Sequence, residues 1–431
     1  MAKKYVLNRT AYFYEAATGE DRSMVLIYGD EVDVSGNETN GRLKATFRGR
    51  NGFIKAQYLG DQPALELYFI DVGQGDSTFI VTPGRKKILI DGGINKRALG
   101  FLSWKYRLDQ PTNFVDIDVL ILTHADADHI AGLIPILKNP QINVKRILHS
   151  GIATFRPGIL ETELGNLAMS DGIEYLTTRQ NSLSQFSNQD LSTEFSDWCQ
   201  AIEAKLAPDK YEAVSSTTAP ISLGDPLVKL EVLGPVLYSV NAQSGYRWLS
   251  DLAHTINGNS VVLRLTYNNV HVLLTGDINA KGSKLLLASP GITTRLASHV
   301  FKVPHHGSND FDPDFLAAVR PQISIVSSGD EPDHGHPRAN LLGAIGRVGR
   351  SNEPLLFSTE IAATFSEINV PPAPGDTETS GGSTVADQRH VFKQSLHGMI
   401  NVRSDGSNLF AARRVMAGYW WEAYGPIAAG A

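Results

Sequence analysis

Residues 120–133 read LILTHADADHIAGL, an apolar run that ends by placing two histidines and two aspartates within six residues. His124, Asp126, Asp128 and His129 fall where a strand pattern gives way to a loop and then to a helical one. Four such side chains crowded at a strand end repel and desolvate one another unless a cation lies among them. Imidazole and carboxylate are natural partners of a divalent metal. The plain alternative is an Asp-rich helix N-terminus, with Asp126 or Asp128 capping the first turn. Capping accounts for one aspartate and for neither histidine, so the spacing favours a metal cage.

Later segments supply the groups that such a cage would need. Asp277 closes HVLLTGD behind an apolar strand and a glycine, a position suited to bridging two ions. PHHGSND carries His305 and His306 beside Ser308, and DHGHP carries His334 and His336. Of twelve histidines, six fall in three short loops that each follow strand-like sequence, which random placement of core histidines would not produce. Asp76 in DVGQGDS and Asp91 in ILIDGG also end strand patterns. They suit hydrogen bonds that orient metal-bound histidines, or simple turn roles beside glycine, rather than direct ligation. His149 reads as a satisfied strand-end histidine, and His271, His299, His390 and His397 have no motif around them.

The rest of the chain frames these loops. The first sixty residues alternate around glycine bends at Gly29, Gly41, Gly49 and Gly52, which predicts a small all-β barrel over 1–60. Gly60 to Ala64 is a linker, and an α/β domain is expected over 65–415. Within it, VDIDVLILT reads as one continuous strand. HIAGLIPILKN reads as a helix with Ile130, Leu133, Ile134 and Leu137 on one face. SVVLRLTYNNVHVLLTGD predicts a hairpin turning at Asn268 and Asn269. An inserted segment is expected over about 150–250, with a helix in 183–208. A flexible loop is expected over about 371–390, where PPAPGDTETSGGSTVAD is poor in apolar residues.

Composition narrows the function classes. The net charge of −6 gives no global attraction to nucleic acid or anionic membrane, so any such contact has to be a local patch. One cysteine, Cys199, excludes an internal disulfide framework and fits a reducing compartment. The start MAKKYVLNRTAYFY has no apolar signal core, and no run of about 18 apolar residues occurs. A cytoplasmic protein that does not span a membrane is expected.

In the order DVGQGDS, ILIDGG, THADADH, NGNSVVLRL, LLTGD, PHHGS and GHP, the sequence resembles the metallo-β-lactamase-fold hydrolases. It is most similar to the group related to the hydrolase region of the DNA-uptake protein ComEC. The match covers about Leu65 to Pro337 and resumes at HGMINVRSDGSNL (397–409). The resemblance implies an αββα sandwich behind the small barrel and two divalent ions, Mn2+ or Zn2+. It implies metal ligation by His124, Asp126, Asp128, His129, Asp277 and His336. Asp126 stands where the wider superfamily has histidine, which makes the site harder and shifts preference from zinc toward manganese. A further ligand is expected from His254, with Asn257 or Asn259 as alternatives. Catalytic roles are implied for Asp128 and for His305 or His306, one of the pair protonating the leaving group while the other bonds within the loop.

Lys302, Ser308 and Arg338 are the expected substrate contacts, the two cations steering a phosphate backbone. The activity implied is hydrolysis of phosphodiester bonds by a hydroxide held between the metals, with DNA as the substrate. The alternatives are hydrolysis of a small ester (a cyclic nucleotide, thioester or lactone) and a binding or assembly role for the barrel. The barrel resembles bacterial Src-homology-3-like domains through GDEVDVSG and NGRLKATFRGRNGFI and would supply any protein partner.

Overall fold

Alternation along the strand Val119–Leu122 sets the layering. Leu120 and Leu122 point into one core with Ile130, Leu133 and Trp198, and Ile121 points into a second with Leu263, Val272 and Ile325. Such a strand is apolar on both faces and has to be covered on both. The computed structural model, which describes residues 2–329, 335–351, 353–360, 398–414 and 421–430, shows how this is met.

Val119–Leu122 lies in a nine-stranded sheet, parallel to Lys87–Ile90 on one side and Ile147–His149 on the other. A six-stranded sheet faces it, running Val228–Gly234, Val262–Tyr267, Val270–Leu274, Val300–Lys302, Ile323–Val326 and Leu355–Ser358 in spatial order. Residues of both sheets form the core between them, including Leu67, Ile80 and Ile88 from one and Leu230, Leu265 and Val300 from the other. Helices cover the outer faces. Arg97–Tyr106, Leu133–Lys138 and Thr193–Glu203 pack on the larger sheet, and Ala280–Ala288, Pro313–Val319 and Ala339–Val348 on the smaller. This is the expected αββα sandwich, preceded by an all-β region. Ile400–Ser404 pairs antiparallel with Leu65–Phe69, so the strands after residue 398 extend the larger sheet.

The N-terminal region is a seven-stranded antiparallel sheet over Ala2 to Gly60 with its own core of Val6, Phe13, Leu26, Val32, Ala45 and Ile54. It is tied to the sandwich by Arg403. This fully buried guanidinium donates to the Tyr28 carbonyl at 3.1 Å, Asp30 Oδ1 at 3.2 Å and the Tyr68 hydroxyl at 2.9 Å.

Several sequence expectations change. VDIDVLILT is two strands in different sheets, Val115–Ile117 and Val119–Leu122. Between them, the Asp118 carboxylate accepts from the Lys87 amide at 2.9 Å. The helix after His129 breaks into Ala127–Ile130 and Leu133–Lys138. The break falls at Gly132, where a Cβ would lie 1.9 Å from the Gly92 carbonyl oxygen, so only glycine lets the two loops pass. Ile130, Leu133 and Leu137 are buried as expected, while Ile134 is half-buried. Of 150–250, the strands Tyr211–Ala213 and Val228–Gly234 are edge strands of the two large sheets, and the segment also forms a four-stranded sheet and the Thr193–Glu203 helix. The Asn268–Asn269 hairpin forms, with Asn268 in the left-handed region at φ 49°. The loop expected over 371–390, together with His334, His390 and His397, lies outside the described residues. Among the described residues no helix is long and apolar enough to cross a membrane.

Arg403→Ala leaves Asp30 and Tyr68 buried without their cation. Breaking one side of a buried ion pair costs about 3–5 kcal/mol. Urea unfolding followed by tryptophan emission is expected to show that loss, and a loss below about 1 kcal/mol would remove Arg403 from this bridging role.

Candidate metal centre

Parallel pairing brings the ends of Lys87–Ile90 and Val119–Leu122 together in one sheet. It does the same for Val270–Leu274, Val300–Lys302 and Ile323–Val326 in the other. The loops leaving these ends carry Asp91, the 124–129 segment, Asp277 and the 305–306 pair. Four overlapping groups of donors result, each with its ligand atoms within 4.8 Å of one another: His124, His129 and Asp277; Asp128, His129 and His306; Asp76, Asp277 and His306; Asp76, Asp91 and His129.

The capping alternative fails. Asp126 occupies the N-cap of Ala127–Ile130 with extended backbone, yet its side chain makes no capping hydrogen bond. Its carboxylate instead lies 3.5 Å from His124 Nε2. Asp128 comes within 3.2 Å of His306 Nε2 and accepts from Gln74 Nε2 at 3.2 Å.

Each buried histidine is fixed through one ring nitrogen. His129 Nδ1 is 2.9 Å from Asp91 Oδ2, and Asp91 in turn accepts from the Thr123 amide and hydroxyl at 2.8 and 2.7 Å. His306 Nδ1 lies 3.1 Å from the Ser327 carbonyl, and His124 Nδ1 lies 3.0 Å from the Thr123 hydroxyl. The opposite nitrogens, Nε2 of His124, His129 and His306, are buried and make no aligned hydrogen bond; neither do Asp76 Oδ1 and Asp277 Oδ1. His306 Nε2 approaches Asp277 Oδ2 at 2.9 Å as a charge contact. Buried polar atoms are normally satisfied, so five in neighbouring groups fit a bound cation.

Electrostatics agree. Burial alone would lower the His129 imidazole, but Asp277, Asp91 and Asp128 raise it well above its ordinary value. His306 is raised in the same way against burial by Asp277 and Asp128. Burial would raise Asp277, and His306 and His129 hold it well below the carboxylate range. The upward direction for both imidazoles reflects the surrounding carboxylates, whose charge a divalent ion would offset when bound.

Other expected site residues fall differently. His254 is half-buried on the helix Leu252–Gly258, its Nδ1 2.7 Å from Asp251 and its Nε2 3.7 Å from Asp310, and it joins none of the four groups. Asn259 donates its amide to the Arg247 and Thr255 carbonyls, whereas the buried Asn257 Oδ1 makes no aligned bond. His336 lies at the rim, its ring centre 5.8 Å from that of His305 and 6.4 Å from that of His306. Thus His306, rather than His336, stands among the clustered donors, and His305 turns aside with Nδ1 buried and unbonded.

Ser308 Oγ accepts from the Asp310 amide at 3.2 Å within its own loop. Arg338 is exposed, its backbone amide held by the Gly307 carbonyl at 2.8 Å. Lys302 corrects the expectation of a steering surface lysine: it is 2% exposed. Its ammonium pairs with Asp76, donates to the Gly276 carbonyl at 3.1 Å and lies 3.7 Å from Asp277 Oδ1. It cannot reach a substrate phosphate from there. Period-2 alternation held the missed signal, since Lys302 shares the inter-sheet face of Val300.

These features define a class. The family description for the metallo-beta-lactamase superfamily matches residues 70–329, more than half of the chain, and the chain belongs to that superfamily of metal-dependent hydrolases. Among individual proteins, it is 24% identical over 299 residues to ComE operon protein 3 of Bacillus subtilis (strain 168), covering 65% of this chain and 30% of that protein. It is 39% identical over 82 residues to Competence protein ComA of Neisseria gonorrhoeae, covering 19% of this chain and 12% of that one. The matched region thus spans less than a third of either relative. A solved structure, the subclass B3 metallo-beta-lactamase MEM-A1 from a soil metagenome library, is 15% identical with a TM-score of 0.27, covering 64% of this chain and 86% of that one.

A ligand that binds only the folded state stabilises it by about 2.7 kcal/mol at 100 times its dissociation constant. Adding Mn2+ or Zn2+ to chelator-stripped protein is expected to raise the melting temperature, and Asp277→Asn is expected to lose most of that rise. No shift with any divalent ion would refute the centre.

Proposed function

We propose that the chain hydrolyses phosphodiester bonds with two divalent ions and that its substrate is DNA. The observation that carries the reading is the place of Asp277. It belongs to one donor group with His124 and His129 and to another with Asp76 and His306, as a residue shared by two ions would. The donors are oxygen-rich, with Asp126 beside His124, a chemistry that favours Mn2+ over Zn2+. When bound, two such ions supply a nucleophilic water at neutral pH and offset charge on the phosphoester oxygens. The similarity to a protein named for competence supports nucleic acid as the ester.

In this reading His124, Asp126, Asp128, His129, Asp277 and His306 hold the ions, and Asp91 fixes the His129 tautomer. Lys302 balances Asp76 and Asp277 from behind. His305 is the proton donor to the leaving oxygen. Burial lowers its pKa, with Asp277 opposing, which makes its imidazolium a stronger acid but a less populated one near neutral pH. The N-terminal sheet is read as a Src-homology-3-like accessory domain, and the single buried thiol of Cys199 suits the cytoplasm.

Incubation with linear DNA, plasmid and cyclic dinucleotides, each with Mn2+, Zn2+ or chelator, tests the proposal. Metal-dependent DNA cleavage is expected, lowered about 10^3-fold or more by Asp277→Asn or His129→Ala. Cleavage that survives both chelator and substitution would overturn it, and turnover of cyclic dinucleotides alone would point to the small-ester alternative. His305→Ala is expected to slow DNA cleavage about 10^2–10^4-fold, yet to spare an ester whose p-nitrophenolate leaving group needs no proton. Equal losses on both substrates would remove the donor role.

A further inference from the structure

A second candidate site lies in the cleft where the N-terminal sheet meets the sandwich. A cavity of about 330 Å3 is lined there by Arg48 and Arg50 from one hairpin, Trp104 and Arg107 from the helix Arg97–Tyr106 and its C-cap, and Arg414 and Trp421 from the last two strands. The volume suits a nucleotide-sized ligand. Two aspartates, Asp30 and Asp109, also line it, so four arginines against two aspartates give a local surplus of two positive charges. Both acids are already engaged. Asp30 accepts from Arg403 and from the Ile27 amide, and Asp109 from Gln110.

The walls are assembled from three separate parts of the chain. The Arg48 guanidinium stacks over the Trp104 ring at 3.6 Å, while Trp104 remains 41% exposed. Gly49, at φ +75°, has no Cβ, and one built there would lie 1.5 Å from an Arg107 nitrogen. That glycine therefore lets the Arg107 fork lie against the hairpin turn. Among the described residues, no carboxylate forms an ion pair with Arg48, Arg107 or Arg414. In a chain of net charge −6, this concentration of cations beside two indoles is a local exception.

Guanidinium forks bind phosphate, and indole and guanidinium planes stack bases. An acidic peptide would use the arginines and leave the tryptophans idle, so the paired chemistry favours a nucleotide. We infer that this cleft binds a base together with its phosphate, as a segment of single-stranded DNA, and holds the strand outside the metal centre. The DNA arm rests on the nuclease reading, whereas binding of a base and phosphate at the cleft does not.

The test uses the full chain in chelator, where cleavage cannot occur. Binding of a labelled oligothymidylate of about 12 nucleotides is followed by anisotropy over a salt series, with thymidine monophosphate and oligoglutamate as competitors. Wild-type protein is expected to bind with tryptophan quenching, and Trp104→Ala to weaken binding about tenfold. Arg107→Glu with Arg414→Glu is expected to weaken it further and lower the log–log salt slope by about 1.4. Arg107→Lys with Arg414→Lys, which keeps the charge and the fold, is expected to keep most of the slope.

Competition by the monophosphate at its own micromolar range would assign the cleft to free nucleotides, and the strand would be lost from the proposal. No binding by wild type, unchanged binding by the charge-reversed variant, or oligoglutamate displacing the strand with Trp104→Ala indifferent would overturn the cleft as a nucleotide site. The two proposals fail separately. DNA binding here without metal-dependent cleavage would sink only the nuclease reading. Cleavage by the charge-reversed variant with wild-type affinity would sink only the cleft.

Discussion

The constraint on which the site depends is the burial of negative charge. Asp76, Asp91 and Asp277 are at most 4% exposed, and Asp128 is mostly covered between Gln74 and His306. Removing carboxylates from water costs several kcal/mol each unless charge or hydrogen bonds compensate. The fold compensates in graded fashion. Asp91 is met by Thr123 and His129, Asp76 by Lys302, and Asp277 by His306, His129 and more distantly Lys302. What is left over is concentrated where the Nε2 atoms of three histidines meet. The cluster is thus poised for a cation because its back is neutralised by groups that cannot leave and its front is not.

Backbone features serve the same end. Gly75, at φ +102°, passes so close to Asp128 that a Cβ would lie 1.9 Å from its carbonyl oxygen. The Asp76 amide then donates to that carbonyl at 3.3 Å. DVGQGDS and THADADH therefore hold each other, and the first loop acts on the metal centre without supplying its main donors. His305 and His306 both adopt positive φ, near 50°, a conformation unusual for residues with a Cβ. That turn sends the two adjacent rings apart, one inward to Asp277 and one toward His336.

The fold was legible because its signals are periodic and local. Strand alternation, the Asn268 turn and the ordered motifs define the sandwich, and His124, Asp128, His129 and Asp277 meet as the motifs imply. Illegible features were those set by tertiary contact. No local pattern tells that Gly132 breaks a helix to admit the Gly92 carbonyl, or that Asp118 divides an apolar run between two sheets. The choice between His305 and His306 needed the turn geometry, and His254 failed because its helix faces Asp251 and Asp310. Lys302 was expected to steer a phosphate backbone, although the period of its strand placed it inside.

Asp126 carries the remaining distinction. Its side chain is 38% exposed while that of its neighbour His124 is wholly covered, so the pair offers one hydrated oxygen donor and one fixed nitrogen donor. A histidine in its place would have given a second soft, rigid donor on the same side. A carboxylate there adds negative charge at the mouth and can keep waters on an ion, which suits manganese and other hard cations more than zinc. The same residue makes the rim less welcoming to a polyanion, and this raises the value of cations placed elsewhere. The four arginines lining the cleft beside the N-terminal sheet are, by contrast, a local concentration of positive charge in this acidic chain.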